Sequence, residues 1–159
     1  MWFRKIFISI LIIIFIVNPL RAAELENYYL QTSFYTHHYS NKEYQNNQQH
    51  LIGIERHYSN NQLNGIAFFK NTYDQNTIYI YSGKNYYLSK LGNTEITAKL
   101  TYGIVHGYDD ENGKYSTWMH DMGTFPALVF AVGLRKKPYR LEIIPFADAG
   151  IIITGGLEF

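Results

Sequence analysis

The stretch EITAKLTYGI, residues 95–104, decides what kind of body this chain builds. Glu95, Thr97, Lys99, Thr101 and Gly103 fall on one face of an extended strand, and Ile96, Ala98, Leu100, Tyr102 and Ile104 on the other. Successive side chains of a strand point to opposite sides, so one side is polar and charged while the other is hydrocarbon. The pattern recurs. In RLEII (140–144), Arg140 and Glu142 share a face that Leu141 and Ile143 avoid. In HLIGIERH (50–57), Ile52 and Ile54 oppose Gly53 and Glu55. In IIITGGLEF (151–159), Ile151, Ile153, Leu157 and Phe159 oppose Ile152, Thr154, Gly156 and Glu158. From residue 24 onward no segment of useful length carries a helical period.

Composition narrows the class. The 159 residues allow one domain, and 14 basic against 13 acidic residues leave no electrostatic footprint for nucleic acid. With no cysteine, neither disulfides nor thiol chemistry are available. Aromatic residues reach 17%, with 15 tyrosines, more than a soluble core of this size needs.

The opening segment MWFRKIFISILIIIFIVNPLRAA reads as a secretory signal peptide over residues 1–23. Arg4 and Lys5 start it, Ile6 to Val17 form the apolar run, and Ala22 and Ala23 suit cleavage. The run is about 12 residues, short of the roughly 20 that a spanning helix needs. Residues 24–159 are then the exported domain.

Export, tyrosine abundance, a terminal Phe159 and repeated alternation together predict an all-β fold: an eight-stranded antiparallel transmembrane β-barrel of the outer membrane. A soluble periplasmic β-domain is the alternative. The expected strands cover 28–39, 50–58, 63–72, 77–87, 94–105, 127–135, 138–146 and 150–159. With the N-terminus periplasmic, the outer loops are 40–49, 73–76, 107–125 and 147–149, and the inner turns are 59–62, 88–93 and 136–138. His37 and His38 then end one outward strand, and Asn71 and Thr72 end another. An eight-stranded lumen holds side chains or one small ligand, which argues against a solute channel. The stretch PALVFAVGL (126–134) is apolar on both faces and would give a buried hydrocarbon chain an apolar wall. Pro126 and Pro145 sit at strand ends on the outer side, where their missing N–H groups can leave a gap in the wall.

These residues carry a resemblance. FKNTY (69–73) followed by IYSGK (80–84) resembles F-K-D-S-W followed by I-A-G-Y-G-W in the lipid A palmitoyltransferase (PagP) family, and THHYS (36–40) resembles that family's histidine region. TFPALVFAVGL, RLEIIP and a last strand ending in Phe are similar to its final three strands in order and spacing. The resemblance implies an eight-stranded outer-membrane enzyme that moves a palmitoyl chain from a glycerophospholipid donor to lipid A, with no cofactor and as a monomer. It implies catalytic roles for a histidine, with His38 favoured over His37, and for Asn71 and Thr72 in place of the family's Asp-Ser pair. It also implies lateral lipid entry near Pro126 and Pro145, and an acyl-pocket floor at Gly83. Gly83 shares a face with Tyr79 and Tyr81, opposite Ile78 and Ile80, which is consistent with a lumen position.

The chemistry expected is acyl transfer onto a hydroxyl, for which histidine is a suitable base near neutral pH. Asn71 can orient the ring or stabilise an oxyanion through its amide, and Thr72 retains a hydroxyl. As plain turn residues, both would be equally at home between two strands. The other class of function is a non-catalytic small barrel that binds lipid or mediates adhesion. His120 and Asp121, with His50 and His57, fit no metal-ligand spacing.

Overall fold

The computed structural model describes residues 23–40, 42, 45–146 and 150–159. The expected signal segment, Ala23 apart, and the expected outer loop 147–149 lie outside the described residues. Eight strands form: β1 Leu25–His38, β2 Ile52–Tyr58, β3 Gln62–Lys70, β4 Asn76–Leu91, β5 Thr94–His106, β6 Thr124–Lys136, β7 Tyr139–Phe146 and β8 Gly150–Glu158. A short helix, α1 (Trp118–Met122), precedes β6. Each strand pairs antiparallel with the next, and β1 pairs with β8, so the sheet closes into a barrel. Closure leaves no free edge along the paired height of the wall.

Alternation becomes inside and outside. Glu55 and His57 on β2, Tyr79 and Tyr81 on β4, Thr97, Lys99 and Thr101 on β5, Arg140 and Glu142 on β7, and Thr154 and Glu158 on β8 are all buried. Ile52, Ile54, Phe68, Ile80, Leu128, Phe130, Leu134, Leu141, Ile143 and Leu157 are exposed on the outer wall. The residues of 95–104 divide between the two faces as their alternation predicts.

The strand ends differ from expectation in instructive places. β3 stops at Lys70, so Asn71 and Thr72 belong to the turn rather than to the strand. β6 starts at Thr124, which puts Pro126 inside the strand, opposite Ile104 of β5. The inner turn expected over 88–93 is mostly strand, since β4 runs to Leu91 and only Gly92 and Asn93 turn the chain. Gly92 takes φ +58, a left-handed conformation that glycine adopts without strain. The long loop after β5 contains α1, which the strand-by-strand reading did not anticipate. Gly123 ends α1 at φ 63, its N–H bonding Met119 O, while Gly107 N–H bonds Gly123 O at 3.1 Å and brings the ends of the loop together.

Among the described residues the wall is unpaired at the loop end between β1 and β2, where the residues of β1 after Thr32 pair with β8 alone, and between β6 and β7. The β6–β7 ladder runs from Lys136↔Tyr139 only as far as Val132↔Ile143. Beyond it, Thr124–Ala131 of β6 pair with β5 alone, and Ile144, Pro145 and Phe146 of β7 pair with β8 alone. Pro126 and Pro145 both lie in this unpaired stretch, where a missing N–H removes nothing from a β6–β7 ladder.

Candidate active site at the loop end of the barrel

A single inserted residue decides which histidine enters the lumen. Against β8, Ser33 pairs with Thr154 but Tyr35 pairs with Ile153, so Phe34 is an extra residue and a β-bulge. Before it, Tyr29 and Gln31 face inward; after it, Thr36 and His38 do. Phe34 itself turns outward at 65% exposure. It lies over Gly155, where a Cβ would come within 2.5 Å of its ring. His37 is exposed and stacks on Tyr35, while His38 is 6% exposed.

The His38 imidazole is held at three points. Its Nε2 lies 3.2 Å from Thr72 Oγ1, its Nδ1 lies 2.7 Å from Asn47 Oδ1, and the Phe146 ring meets it edge-on at 5.1 Å. Asn47 reaches this position because the segment after β1 is laced to the turn after β3. Asn46 N–H donates to Thr72 O at 2.8 Å, Gln49 Nε2 to Asn46 O at 2.7 Å, and Lys70 N–H to Gln49 O at 2.7 Å. Ser33 and Leu51 then lock the segment against β1 through Leu51 N–H to Ser33 Oγ at 3.0 Å.

Asn71 performs a different task. Its Oδ1 accepts the N–H groups of Tyr73 at 2.8 Å and Gln75 at 3.1 Å, and its Nδ2 donates to Gln75 Oε1 at 3.2 Å. This is an Asx turn, and Asp74 takes φ 61 within it. The side chain is 1% exposed, and both its amide oxygen and its amide nitrogen are engaged within the turn. It therefore shapes the turn that presents Thr72, and no hydrogen bond links it to His38. Of the candidate residues, the structure brings together His38 and Thr72, sets Asn71 behind them, and turns His37, the alternative histidine, outward.

Beneath the rim lies an apolar layer of Ala67, Tyr79, Val105 and Phe125, with Ala127 and Val129 of β6 packed against it. The inner face of β6 is thus apolar, as PALVFAVGL implies, and packs against this layer. Below this layer charges cross the lumen. Lys99 Nζ lies 2.8 Å from Glu55 Oε1 and 2.7 Å from Glu142 Oε2, and Tyr81 donates to Glu55 Oε1 at 2.9 Å. Arg140 and Arg135 both bind Glu158, and Arg135 continues to Glu95 at 2.9 Å. His57 Nε2 meets Glu55 Oε2 at 2.7 Å. Paired carboxylates and cations fill the turn-end half of the barrel with protein groups, so any lumen ligand is confined to the loop-end half.

Gly83 sits opposite Leu63 and Thr101. A Cβ there would collide with the Leu100 carbonyl and come 2.8 Å from Thr101 Cγ2. The missing side chain lets β4 and β5 approach closely.

The loop after β5 builds a separate aromatic cluster. His120 packs against Tyr73 at 4.4 Å, Tyr115 at 5.2 Å and Tyr108 at 5.4 Å, and its Nδ1 lies 2.7 Å from Thr117 Oγ1. Burial and the neighbouring Tyr73 push the Tyr108 hydroxyl up to about 12. His57 is in the charged layer near the turn end, so the topology separates it from His120. Among the described residues no group of three or more His, Cys, Asp or Glu side chains is placed to hold a metal ion.

Sequence reasoning missed Asn47 and the pairing inside the charged layer. Asn47 lies in an Asn/Gln-rich loop with no periodicity to mark it. The charged faces of β5 and β7 were visible, but which cation meets which carboxylate depends on the order in which the strands close. No protein-family model matches the chain, and no curated protein matches it.

Proposed function

We propose that this protein is an outer-membrane acyltransferase that moves a palmitoyl chain from a glycerophospholipid to lipid A, with His38 as the base. The observation that carries the reading is a buried imidazole, 3.2 Å from the Thr72 hydroxyl, at the loop end of a barrel whose wall is unpaired between β6 and β7. Phe146, which ends β7 beside that unpaired stretch, also packs on His38. A lipid entering laterally there would present its ester near the ring. Apolar residues of β6 line the lumen below.

The membrane location is part of the same proposal. The outer wall carries a broad apolar band, with Tyr35 and Tyr39 exposed towards the loop end and Tyr86, Tyr87 and Tyr139 towards the turn end. Aromatic girdles around an apolar band suit a barrel that crosses lipid. Residues 1–23 would direct export. The acceptor and the chain transferred rest on the resemblance of FKNTY, IYSGK and TFPALVFAVGL to the palmitoyltransferase family.

One observation favours the second reading, a non-catalytic lipid-binding or adhesive barrel. The Asn71 amide, aligned with a family carboxylate, is occupied in its turn. Mass spectrometry of lipid A from cells with and without the protein separates the two. Palmitoylated lipid A that depends on the protein, and disappears in His38→Ala but persists in His37→Ala, is the expected result. Unchanged lipid A would leave the binding role.

A further inference from the structure

Resting on the acyltransferase reading, we infer that Thr72, His38 and Asn47 form a hydroxyl–imidazole–amide relay in which Thr72 carries the acyl chain as an ester between donor and acceptor. A hydroxyl within reach of an imidazole, itself oriented by a third group, is the arrangement that activates a nucleophile, whatever fold supplies it. Here Thr72 Oγ1 lies 3.2 Å from His38 Nε2, and Asn47 Oδ1 lies 2.7 Å from Nδ1 on the other side of the ring.

The amide contact supports one direction of proton flow. Asn47 Oδ1 can only accept, so Nδ1 carries the hydrogen and donates it. Nε2 is then left with its lone pair towards Thr72. The Asx turn built by Asn71 fixes the backbone beside Thr72, and the Asn46 N–H to Thr72 O bond at 2.8 Å ties Asn47's own segment to that residue. Thr72 is only half-buried.

The steps balance without a co-reactant. Thr72 Oγ1 attacks the carbonyl carbon of the donor ester while its proton passes to His38 Nε2. The bond from that carbon to the glycerol oxygen breaks, and the departing oxygen takes the proton from Nε2, releasing a lysophospholipid. An acceptor hydroxyl then gives its proton to Nε2 and attacks the Thr72 ester. Thr72 Oγ1 leaves and recovers the proton. Asn47 is a positioning residue throughout.

The test uses the full-length barrel in detergent, mixed with dipalmitoyl phosphatidylcholine and no acceptor, quenched in acid and read by intact mass and peptide mapping. One palmitoyl ester on the peptide containing Thr72, cleaved by hydroxylamine and lost on adding lipid A, is the expected result. Thr72→Ser should retain the ester, and Thr72→Val, folded by gel mobility, should lack it. Asn47→Ala should slow transfer about 100-fold by releasing the ring from its attack geometry. Asn47→Asp should restore the rate and move the acid limb of the pH–rate profile upward by about 1 unit, because a carboxylate favours the protonated ring. Palmitoylated lipid A without a Thr72 ester, and with Thr72→Val near wild-type rate, would overturn the relay and leave direct transfer by His38. Neither ester nor palmitoylated lipid A would overturn both readings together.

Discussion

Lys99 on β5 and Glu55 on β2 meet across the lumen, Nζ 2.8 Å from Oε1, although two strands separate them around the wall. The same ammonium lies 2.7 Å from Glu142 on β7, so one side chain ties three parts of the barrel together. Both carboxylates are 1% exposed. Removing the cation leaves two buried negative charges close together, which is far worse than removing the whole set.

Lys99→Met should therefore destabilise the barrel by about 3–5 kcal/mol, the usual penalty for breaking a buried pair from one side. Replacing Lys99, Glu55 and Glu142 together by neutral residues of similar size should recover most of that loss. Urea titration of the folded, fast-migrating gel band measures both. A single variant as stable as wild type would mean that water reaches these carboxylates.

Gly83 yields a prediction about packing rather than substrate length. Its position against the Leu100 carbonyl means that even Gly83→Ala forces β4 and β5 apart. Overpacking of this kind costs about 1–3 kcal/mol, and Gly83→Met should cost more. The same urea titration checks it. If Gly83→Met folds with wild-type stability and shortens the acyl chain transferred, Gly83 lines a pocket after all.

What the sequence made legible follows from the period of two. Residues such as Lys99, Glu142 and Thr154 reveal their face because their strand neighbours are aliphatic, and closure of eight strands then makes one face a lumen. His38 was harder, because strict alternation from Tyr29 and Gln31 places His37, not His38, inside. Only the extra residue at Phe34 reverses this, and a bulge at Phe-Tyr has no glycine or proline to announce it. Asn71 was legible as a turn residue by type, but its competing role needed the carbonyl and amide geometry of Gln75 to decide. Asn47 had no legible signal, since its place comes from loop lacing between distant strands. The β6–β7 opening was half visible: Pro126 and Pro145 marked it, while its extent depends on where the Val132↔Ile143 ladder ends.

The loop cluster predicts a pH response. Burial beneath tyrosines holds the His120 imidazole below its usual value of 6.5, against the upward pull of Asp121, Asp110, Asp109 and Glu111. The packed loop thus prefers the neutral ring, and the unpacked loop binds the proton more readily. Its contribution to loop stability is complete above about 6.5 and is lost as pH falls through the depressed value. Trp118, 5.1 Å from Phe125, should report the loosening as a fluorescence change between about pH 7 and about pH 5. His120→Phe should flatten the transition. A transition that persists unchanged in His120→Phe would assign it to the carboxylates instead.

The bulge at Phe34 makes the sharpest prediction. The chain contains no cysteine, so single cysteines at positions 37 and 38 report which face each residue occupies without a background. In the native barrel, His37→Cys should react readily with a water-soluble thiol reagent, while His38→Cys should be strongly protected by the lumen. Deleting Phe34 removes the extra residue and lets Ser33 and Tyr35 follow one another opposite Thr154 and Ile153, so β1 alternates strictly with its outer residues on the same faces as before. The labelling should then keep its native pattern, with position 38 protected and position 37 reactive. Phe34→Ala keeps the residue count and only uncovers Gly155, so the native labelling should remain. Both the deletion and Phe34→Ala should therefore leave His38 facing the lumen and acyl transfer measurable, unlike His38→Ala. Equal labelling of the two cysteines in the native barrel would show that β1 frays before His38, and that no bulge sets the site.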